Sequence, residues 1–498
     1  MNILSIEFFV VLLSLVGLYY VIPSKYKVSF ILLANVCLLF FTDKTSLIIL
    51  IALSLLTFSI ARYSKNKKAW GGGVICSTIG LIVCVFVYIK VIPILVWNEL
   101  VNSENYIISI AGFSFWSLQM ISYLVDVYNR KIKAEENYLH YLVYISFFGY
   151  FVSGPIERAG NIIPQLKRIN VNLKDIQHGM QIFVWGVGLK LILGQRMAMI
   201  CDTVYNNYIE YAGIEILVAV IAYSIQIYCD FYGYSCMAVG MGEMFGLKII
   251  QNFDSPYLSR SIAEFWRRWH ISLSSWLKDY IYIPLGGNRK GTFRKYINLL
   301  IVFLISGIWH GVGTNFIIWG GMHAAFQIVG NTTQNLRNRL YSKFKINVNT
   351  FSHSIFKIVI TNALVSFAWI FFRAPNLKAA FDIIKRMIVG FNPAVSFGKL
   401  KYVRMGWHFG IGENLIIKKD FLELCQLTNI DVYIIIISLI VVVMVDYLHY
   451  RKISIRNWID QQNYPFRWCV YLVAIVLIYV FGIYGSGYNA ADFIYSNF

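Results

Sequence analysis

The sequence predicts an all-α, polytopic membrane protein, and three observations lead to this fold class. Hydrophobic residues make up 58% of the 498 residues and charged residues only 14%, whereas charged residues are about 25% of an ordinary soluble domain. Apolar runs of roughly 18 residues, the length that crosses the hydrocarbon layer as a helix, recur along the whole chain. Basic residues fall in the short loops between these runs. Residues 1–498 are therefore predicted to form a single integral-membrane domain.

The apolar runs predict roughly ten to thirteen membrane spans. The clearest runs are residues 3–22, 46–61, 72–97, 106–125, 214–228, 354–372, 432–446 and 468–484. Shorter or glycine-interrupted runs are residues 28–41, 138–154, 180–193, 297–309 and 316–329. The first run has no basic stretch before it and ends at Ile22-Pro23 rather than at a small-residue cleavage site. It is therefore predicted to be a retained span and not a signal peptide.

Charge alternates between successive loops, and this predicts the orientation of the chain. The loops after the first, third and fifth spans carry the cations Lys25, Lys27, Lys65, Lys67, Lys68, Arg130, Lys131 and Lys133. The alternate loops carry only Lys44 and an acidic stretch at residues 98–105. Because cytoplasmic loops are the basic ones, the N-terminus is predicted to lie outside. The alternation fails after Gly154, where Arg158 and Lys167 follow, and a re-entrant or in-plane helix there would restore it.

The sequence lacks the motifs and residue patterns that several classes of function require. The net charge of +19 is explained by membrane topology and not by a basic face that binds nucleic acid. The eight cysteines lie mostly in apolar runs and show no Cys-x-x-Cys spacing, so neither disulfides nor a metal site is predicted. The sequence has no Gly-x-Ser-x-Gly elbow, Walker loop or His-Glu-x-x-His helix. Nucleophilic, nucleotide-driven and metallopeptidase chemistry are therefore not expected.

Polar side chains within apolar spans mark either a functional site or a paired structural cluster. In the first such group, four side chains follow at spacings of three and four and share one helical face. They are Gln119, Tyr123, Asp126 and Arg130. We interpret them as a hydrogen-bonding stripe between helices that ends in an Asp126–Arg130 pair.

A second group lies at residues 259–295, which are rich in tryptophan and in cations. Ser261, followed three residues later by Glu264, is a capping box that predicts the start of a helix over residues 261–278. The large apolar side chains of that helix share one face: Phe265, Trp269, Leu273 and Trp276. With Arg267 and Lys278 away from that face, the pattern is typical of a helix in the membrane interface. His270 in this helix is either an interfacial anchor or a catalytic residue.

The third group is residues 305–326. On a helix, Ser306, His310 and Thr314 would line up at steps of four residues. Gly307 and Gly311 offer a surface that another helix can approach closely. His310 is either a functional imidazole at membrane depth or a core histidine whose nitrogens bond to Ser306 or to a neighbouring helix.

Acyl transfer from a thioester to an alcohol would give His310 a role. A base that is neutral near physiological pH must take the hydroxyl proton while the carbonyl carbon is attacked, and neutral imidazole suits this step. The reaction also needs hydrogen-bond donors for the developing oxyanion. Asn315, Trp309 and the second histidine of the same block are candidates for that role.

Seven blocks of the sequence, taken in order, carry a resemblance to a known family. They are FSFWSLQMISYLVDVY at 113–128, GPIERAGNIIPQLKR at 154–168, QIYCDFYGYSCMAVGMGEMFGLK at 226–248, residues 252–291, SGIWHG at 306–311, WIFFRAP at 369–375 and the terminal FIYSNF. Together they resemble the membrane-bound O-acyltransferase family, most closely its bacterial branch of alginate and peptidoglycan O-acetyltransferases. The resemblance covers nearly the whole chain.

The resemblance implies a fold and two active-site residues. The family fold is a ring of membrane helices, with re-entrant and in-plane helices, around a central tunnel. The histidine of the Trp-His-Gly block, here His310, is implied to be catalytic. The histidine of the Arg-Trp-His block, here His270, is implied to be the second active-site residue, next to Trp269.

The resemblance also implies a donor, an acceptor and a location. The expected donor is acetyl-CoA or an acyl-carrier thioester, whose phosphates would meet Arg267, Arg268, Arg289 and Lys290; no tightly bound cofactor is expected. The acceptor is a cell-surface polysaccharide outside the bacterial cytoplasmic membrane, and an accessory acetyltransferase on that side is a further expected partner. Related proteins carry a second aspartate where this chain has Cys236, which leaves Asp230 and Tyr234 as the polar residues of that block.

Two other readings of the sequence remain open. One is a transporter or flippase in which the histidines relay protons, although the inverted repeat that such proteins show is not visible here. The other is transfer of D-alanine to teichoic acid. The long block at residues 252–291 favours a sugar acceptor, and which glycan it is does not follow from the sequence.

Overall fold

The computed structural model describes residues 4–64, 68–90, 110, 112–151, 154–390, 403–404, 418–419 and 421–484. Its helices are α1 (Ile6–Val21), α2 (Lys27–Thr42), α3 (Lys44–Ser64), α4 (Lys68–Lys90), α5 (Phe113–Tyr128), α6 (Tyr138–Ser146), α7 (Ala159–Leu166), α8 (Leu173–Gly188), α9 (Gln195–Asn206), α10 (Ile214–Met244), α11 (Ile262–Arg268), α12 (Ile271–Leu277), α13 (Gly291–His310), α14 (Thr314–Thr332), α15 (Gln334–Lys343), α16 (Phe351–Arg373), α17 (Leu377–Val389), α18 (Phe421–Leu424), α19 (Asn429–Tyr450), α20 (Ile455–Asp460) and α21 (Tyr464–Phe481).

Four short helical turns and two strands complete the described elements. The segments Leu189–Gly194 and Lys278–Tyr282 wind as π-helix, and Ser24–Tyr26 and Pro256–Leu258 as 3-10 helix. The strands β1 (Val403–Arg404) and β2 (Lys418–Lys419) pair antiparallel. The predicted all-α class is confirmed, since these strands are two residues long.

Nine helical segments among the described residues are long and apolar enough to cross a membrane. They are Ser24–Thr42, Lys44–Ser64, Gly72–Ile89, Leu173–Asn206, Ile214–Met244, Gly291–His310, Phe351–Arg373, Asn429–Tyr450 and Tyr464–Phe481. The apolar helix α1 is shorter, at 16 residues. The chain is therefore a multi-pass membrane protein, as predicted. Three features of the sequence analysis lie outside the described residues: the lysines at 65 and 67, the acidic stretch 98–105 and the terminal block 493–498.

The described part of the apolar run at residues 138–154 holds no helix long enough to cross a membrane. Its helix α6 has nine residues and is about 13 Å long, less than half of the roughly 30 Å hydrocarbon layer. Side chains from other segments satisfy the backbone beyond α6: Asn35 Oδ1 accepts from Phe148 N at 3.1 Å, and Ser272 Oγ accepts from Ile156 N at 3.0 Å. The non-spanning segment stays a prediction; the described residues next to α6, 147–151 and 154–156, are mostly buried in protein, as irregular backbone at membrane depth requires.

The chain divides into two compact units, and the single integral-membrane domain stays a prediction. The first comprises Met1–Val187, Tyr234–Asn252 and His270–Leu285, and the second comprises Gly188–Gly233, Phe253–Trp269 and Gly286–Phe498. Within the first unit, α8 and α10 approach each other at Gly179 and Gly240, where a Cβ on either glycine would lie 2.5 Å from the carbonyl oxygen of the other. His270 belongs to the first unit and His310 to the second. The expected ring around a tunnel stays a prediction.

Glu157 ties the Gly-Pro-Ile-Glu-Arg block into the first unit. Its carboxylate is fully buried. One oxygen accepts from Ile250 N at 2.6 Å, and the other accepts from Arg158 N at 3.1 Å and from Asn161 Nδ2 at 3.0 Å. Such a saturated carboxylate has a structural role, because its hydrogen bonds join segments that are far apart in the chain.

The predicted Asp126–Arg130 pair is wrong. Helix α5 ends at Tyr128, and Arg130 takes a left-handed backbone conformation with φ 59°, so the helical spacing no longer applies to it. Asp126 pairs instead with Lys131 Nζ at 3.3 Å and accepts a hydrogen bond from Tyr280 Oη at 2.6 Å.

Candidate active site

The predicted helix over residues 261–278 is interrupted at its centre. The capping contact is present, since Ser261 Oγ accepts from Glu264 N at 3.2 Å, but α11 ends at Arg268 and α12 begins at Ile271. Between them His270 adopts a left-handed conformation with φ 44°. The prediction of one continuous helix is therefore wrong.

Tertiary hydrogen bonds account for this break. Within the first unit, Ile271 N donates to Asn252 O at 3.0 Å, and Ser272 N donates to Asn252 Oδ1 at 3.2 Å. Within the second unit, Asp254 N donates to Arg268 O at 3.0 Å. The backbone groups around the break thus bond to the segment at residues 252–254, which the periodicity of residues 261–278 cannot reveal.

His270 is 1% exposed and lies outside the membrane-spanning segments. Burial disfavours the charged imidazolium and lowers the pKa of His270 to about 3. The imidazole is therefore neutral at physiological pH. A neutral ring can orient a substrate hydroxyl through a hydrogen bond, a role open to the predicted second active-site histidine.

Replacing His270 with Asn is expected to flatten the dependence of thermal stability on pH. The unfolded chain takes up a proton at His270 below about pH 6.5, whereas the folded chain does not until the pH approaches about 3. The stability that the neutral ring contributes is thus complete above about pH 6.5 and is lost as the pH falls below it. Asn tolerates the left-handed backbone. Melting temperatures in detergent, measured from about pH 7 to pH 5, should fall less steeply for His270→Asn; identical slopes would contradict the assignment.

His310 is the last residue of α13 and sits in an aromatic cluster within the second unit. It is 2% exposed. Its ring centroid lies 4.8 Å from that of Trp309, 5.1 Å from that of Trp319 and 5.3 Å from that of Phe372, each in edge-on geometry. The sequence analysis identified Trp309; Trp319 and Phe372 approach only through the packing of α14 and α16. Three aromatic rings thus surround much of the imidazole.

Only part of the predicted polar line along this region exists. Ser306 is buried one turn before His310 on α13. Thr314 is not on that helix, because α13 ends at His310 and Thr314 begins α14. The prediction that Ser306, His310 and Thr314 share one helical face is therefore wrong for Thr314.

The predicted close helix approach is confirmed at Gly307. A Cβ on Gly307 would lie 2.4 Å from the carbonyl oxygen of Phe316, and one on Gly320 would lie 2.3 Å from that of Phe303. These glycines let the backbones of α13 and α14 meet, and the close packing brings Trp319 to the ring of His310.

Replacing Gly307 with Ala is expected to destabilise the protein by about 1–3 kcal/mol, because a methyl group there displaces backbone rather than a flexible side chain. The measurement is thermal unfolding in detergent. The matched control is Gly321→Ala on α14, where a Cβ would meet nothing within 4 Å. Equal melting temperatures for both variants would contradict the close packing of α13 against α14.

Asn315, a predicted oxyanion donor, has another use in the structure. Its Nδ2 donates to Phe371 O at 3.1 Å and to Ala374 O at 3.2 Å, which occupies both amide hydrogens. The side chain therefore satisfies carbonyls at the C-terminal end of α16, where such groups lack helical partners. This contact positions Phe372 beside His310.

The four cations predicted to bind donor phosphates fall into two groups. Arg268 is committed within the second unit: its Nε donates to Glu264 at 3.1 Å and its Nη1 pairs with Asp254 at 3.4 Å. Arg267, Arg289 and Lys290 are exposed. Only these three keep a charge that a soluble phosphate can reach.

The remaining predicted residues lie in buried positions. Trp269 is 1% exposed and packs within the second unit against Phe253 and Trp369, with ring centroids at 5.0 and 5.4 Å. Tyr234 is buried on α10. Asp230 is buried on the same helix and forms an ion pair with Lys190. The binding role of Asp230 stays a prediction.

The partners of the charged residues inside the spans were not predicted from the sequence. Lys190 lies in the π-helical turn. Within the second unit, Arg196 Nε donates to the half-buried Asp431 at 2.9 Å, and Tyr228 Oη donates to the buried Asp446 at 2.9 Å. An ionisable residue within an apolar run needs a partner, and this signal is visible in the sequence. The identity of the partner depends on the tertiary structure. Among the described residues there is no cluster of ligands suited to a metal ion.

Comparison with known proteins finds several relatives. The probable alginate O-acetylase AlgI of Pseudomonas putida is 36% identical over 269 residues, which cover 54% of this chain and 53% of that protein. Peptidoglycan O-acetyltransferase of Helicobacter pylori is 35% identical over 321 residues, 59% of each chain. Teichoic acid D-alanyltransferase of Bacillus subtilis is 27% identical over 324 residues, 62% of this chain and 79% of that one.

The extent of these matches varies. The chain spans little more than half the length of the first two relatives, 53% and 59%. The probable alginate O-acetylase AlgI of Azotobacter vinelandii is 30% identical over 401 residues, 77% of each chain. A profile of the membrane-bound O-acyltransferase family matches residues 35–373. With more than half of its length matched to that profile, the chain belongs to the membrane-bound O-acyltransferase family.

Proposed function

We propose that this protein is an O-acyltransferase that moves an acetyl group from a cytoplasmic thioester to hydroxyls of a cell-surface polysaccharide. The observation that carries the proposal is the position of His310, buried at the end of a membrane-spanning helix in a chain of this family. An ionisable side chain in a membrane span is costly and marks a functional site by default. The names of relatives, alginate O-acetylase and peptidoglycan O-acetyltransferase, suggest that this function is O-acetyl transfer.

In the proposed reaction His310 acts as the general base. The acceptor hydroxyl gives its proton to the imidazole while its oxygen attacks the thioester carbonyl, and the carbonyl electrons move onto oxygen. Collapse of this tetrahedral species breaks the C–S bond, and the thiolate takes the proton back from the imidazolium. The aromatic cluster excludes water, so that the acyl group is not hydrolysed. His270, which burial keeps neutral, stays the predicted second active-site residue.

The donor is proposed to approach from the cytoplasmic face. Arg267, Arg289 and Lys290 are exposed, and cations at such positions bind the phosphates of acetyl-CoA or of an acyl-carrier prosthetic group. The basic loops near the N-terminus support an outside N-terminus in the bacterial cytoplasmic membrane. An accessory acetyltransferase on the outer side would then receive or refine the product.

The test compares surface glycans from cells with and without the protein. Mass spectrometry should find ester-linked acetate on one glycan only when the protein is present. Unchanged acetylation of all glycans would overturn the proposal. Uptake or lipid flipping by purified protein in liposomes, without any acyl donor, would favour a transporter instead.

Transfer of D-alanine to teichoic acid is the second candidate. It rests on the match to the Bacillus subtilis D-alanyltransferase, at 27% identity against 36% for the first O-acetylase. The same mass-spectrometric experiment separates the two functions, because a D-alanyl ester and an acetyl ester differ in mass and in charge.

A further inference from the structure

His323, the second histidine of the block at residues 305–326 and one of the three candidate donors named from the sequence, is fully buried on α14 and has no role in the reaction steps proposed above. Its Nδ1 accepts a hydrogen bond from Trp266 Nε1 at 3.2 Å. An indole N–H only donates, so this contact requires a lone pair on Nδ1. In the neutral ring the proton is then on Nε2.

Trp266 therefore fixes the tautomer of His323. With Nδ1 engaged and Nε2 protonated, the ring has no lone pair with which to act as a base, but it presents one N–H donor. This Nε2 has no hydrogen-bond partner among the residues that the structure describes. A buried donor without an acceptor is costly and calls for an explanation.

The position of His323 supplies that explanation. Its ring centroid lies 5.1 Å from that of Trp319, and the ring of His310 lies at the same distance from Trp319. At most twice this distance separates the two imidazoles. A reacting hydroxyl and thioester carbonyl could fit between the two imidazoles. The hydroxyl would lie about 3 Å from its base, His310, and the carbonyl oxygen about 3 Å from its donor, His323.

We propose that His323 Nε2–H is a hydrogen-bond donor to the carbonyl oxygen of the acyl thioester, held in the donor tautomer by Trp266. The inference rests on the proposed acyl transfer. As the acceptor hydroxyl loses its proton to His310 and its oxygen bonds to the carbonyl carbon, the negative charge forms on the oxygen that His323 contacts. When the C–S bond breaks, the carbonyl reforms and the thiolate recovers the proton.

The other candidate donors identified in the sequence are less suitable. Both amide hydrogens of Asn315 are used at the end of α16. Trp309 precedes His310 in the chain, and the two rings contact each other edge-on. We therefore assign Trp309 a packing role in the aromatic cluster. His323 combines burial, a fixed tautomer and an available N–H.

Two substitutions of matched size separate a donor from a packing role. His323→Gln places an amide N–H near the position of Nε2, whereas His323→Asn places an acceptor for Trp266 near Nδ1 and leaves no donor at Nε2. Each variant would replace the natural protein in a strain that lacks it, and base-released acetate on the surface glycan would be measured at equal protein levels. We expect His323→Asn to transfer acetate about 10²–10³-fold more slowly than the natural protein. His323→Gln should keep most of the natural rate.

The reverse order, with His323→Asn active and His323→Gln inactive, would overturn the inference and leave His323 as a support for Trp266 only. Equal activity of both variants and the natural protein would also overturn it. A natural protein that transfers no acyl group would overturn the proposed function and the inference with it, so the two failures are distinct.

A second measurement does not depend on activity. In protein labelled with ¹⁵N-tryptophan, the indole signal that disappears in Trp266→Phe identifies Trp266. This signal should shift in a His323→Leu variant, which removes the acceptor, and stay close to its natural position in His323→Asn. An indole signal that ignores His323→Leu would refute the tautomer assignment on which the donor role depends.

Discussion

Replacing His310 with Ala is expected to reduce the rate of acyl transfer about 10²–10⁴-fold, because a positioned general base contributes an acceleration of that size. The protein itself should remain folded, because the side chain fills a site walled by Trp309, Trp319 and Phe372 and its removal leaves a small apolar cavity. Ester-linked acetate on the surface glycan of complemented cells is the measurement, with the amount of protein in the membrane determined in parallel.

The control is His353→Ala, which removes a buried histidine of α16 that contacts Tyr341. It should retain transfer. Full acetylation by a His310→Ala protein present at natural levels would sink the assignment of His310 as the base. Loss of transfer in both variants would point to general damage to the membrane helices.

Replacing Lys190 with Met is expected to destabilise the protein by about 3–5 kcal/mol, because it leaves the carboxylate of Asp230 buried without its counter-charge. Lys190 and Asp230 have side chains only 5% and 1% exposed. The pair lies in the π-helical turn Leu189–Gly194 and in α10, so its loss should also loosen the contact between these segments. Thermal unfolding in detergent measures the effect.

The double variant Lys190→Met with Asp230→Asn should recover most of the lost stability, since both charges are then gone. Lys278→Met is the matched surface control, because the side chain of Lys278 is 63% exposed and its ion pair is long, at 3.9 Å. A double variant no more stable than Lys190→Met alone would show that the pair is not coupled.

Candidate site residues could be named from the sequence, and their catalytic roles stay predictions; the contacts that these residues make could not be predicted. His310 and His270 stand out because imidazoles are costly within apolar or interfacial helices. The role of Asn315 was not predictable, since its partners, Phe371 O and Ala374 O, belong to a segment nearly sixty residues away in the chain. The same holds for His323, whose tautomer depends on Trp266 of α11.

The sequence by itself determined that this is a multi-pass, all-α membrane protein of the O-acyltransferase family, because hydrophobic runs and ordered motifs are properties of the chain alone. Only the tertiary structure decided where helices stop and which polar groups pair. The helix predicted over residues 261–278 breaks at His270 because backbone groups there bond to residues 252–254, and Asp126 turns from Arg130 to Lys131 and Tyr280. Periodicity reports the burial of one helix face, whereas these outcomes depend on hydrogen bonds between segments that folding brings together.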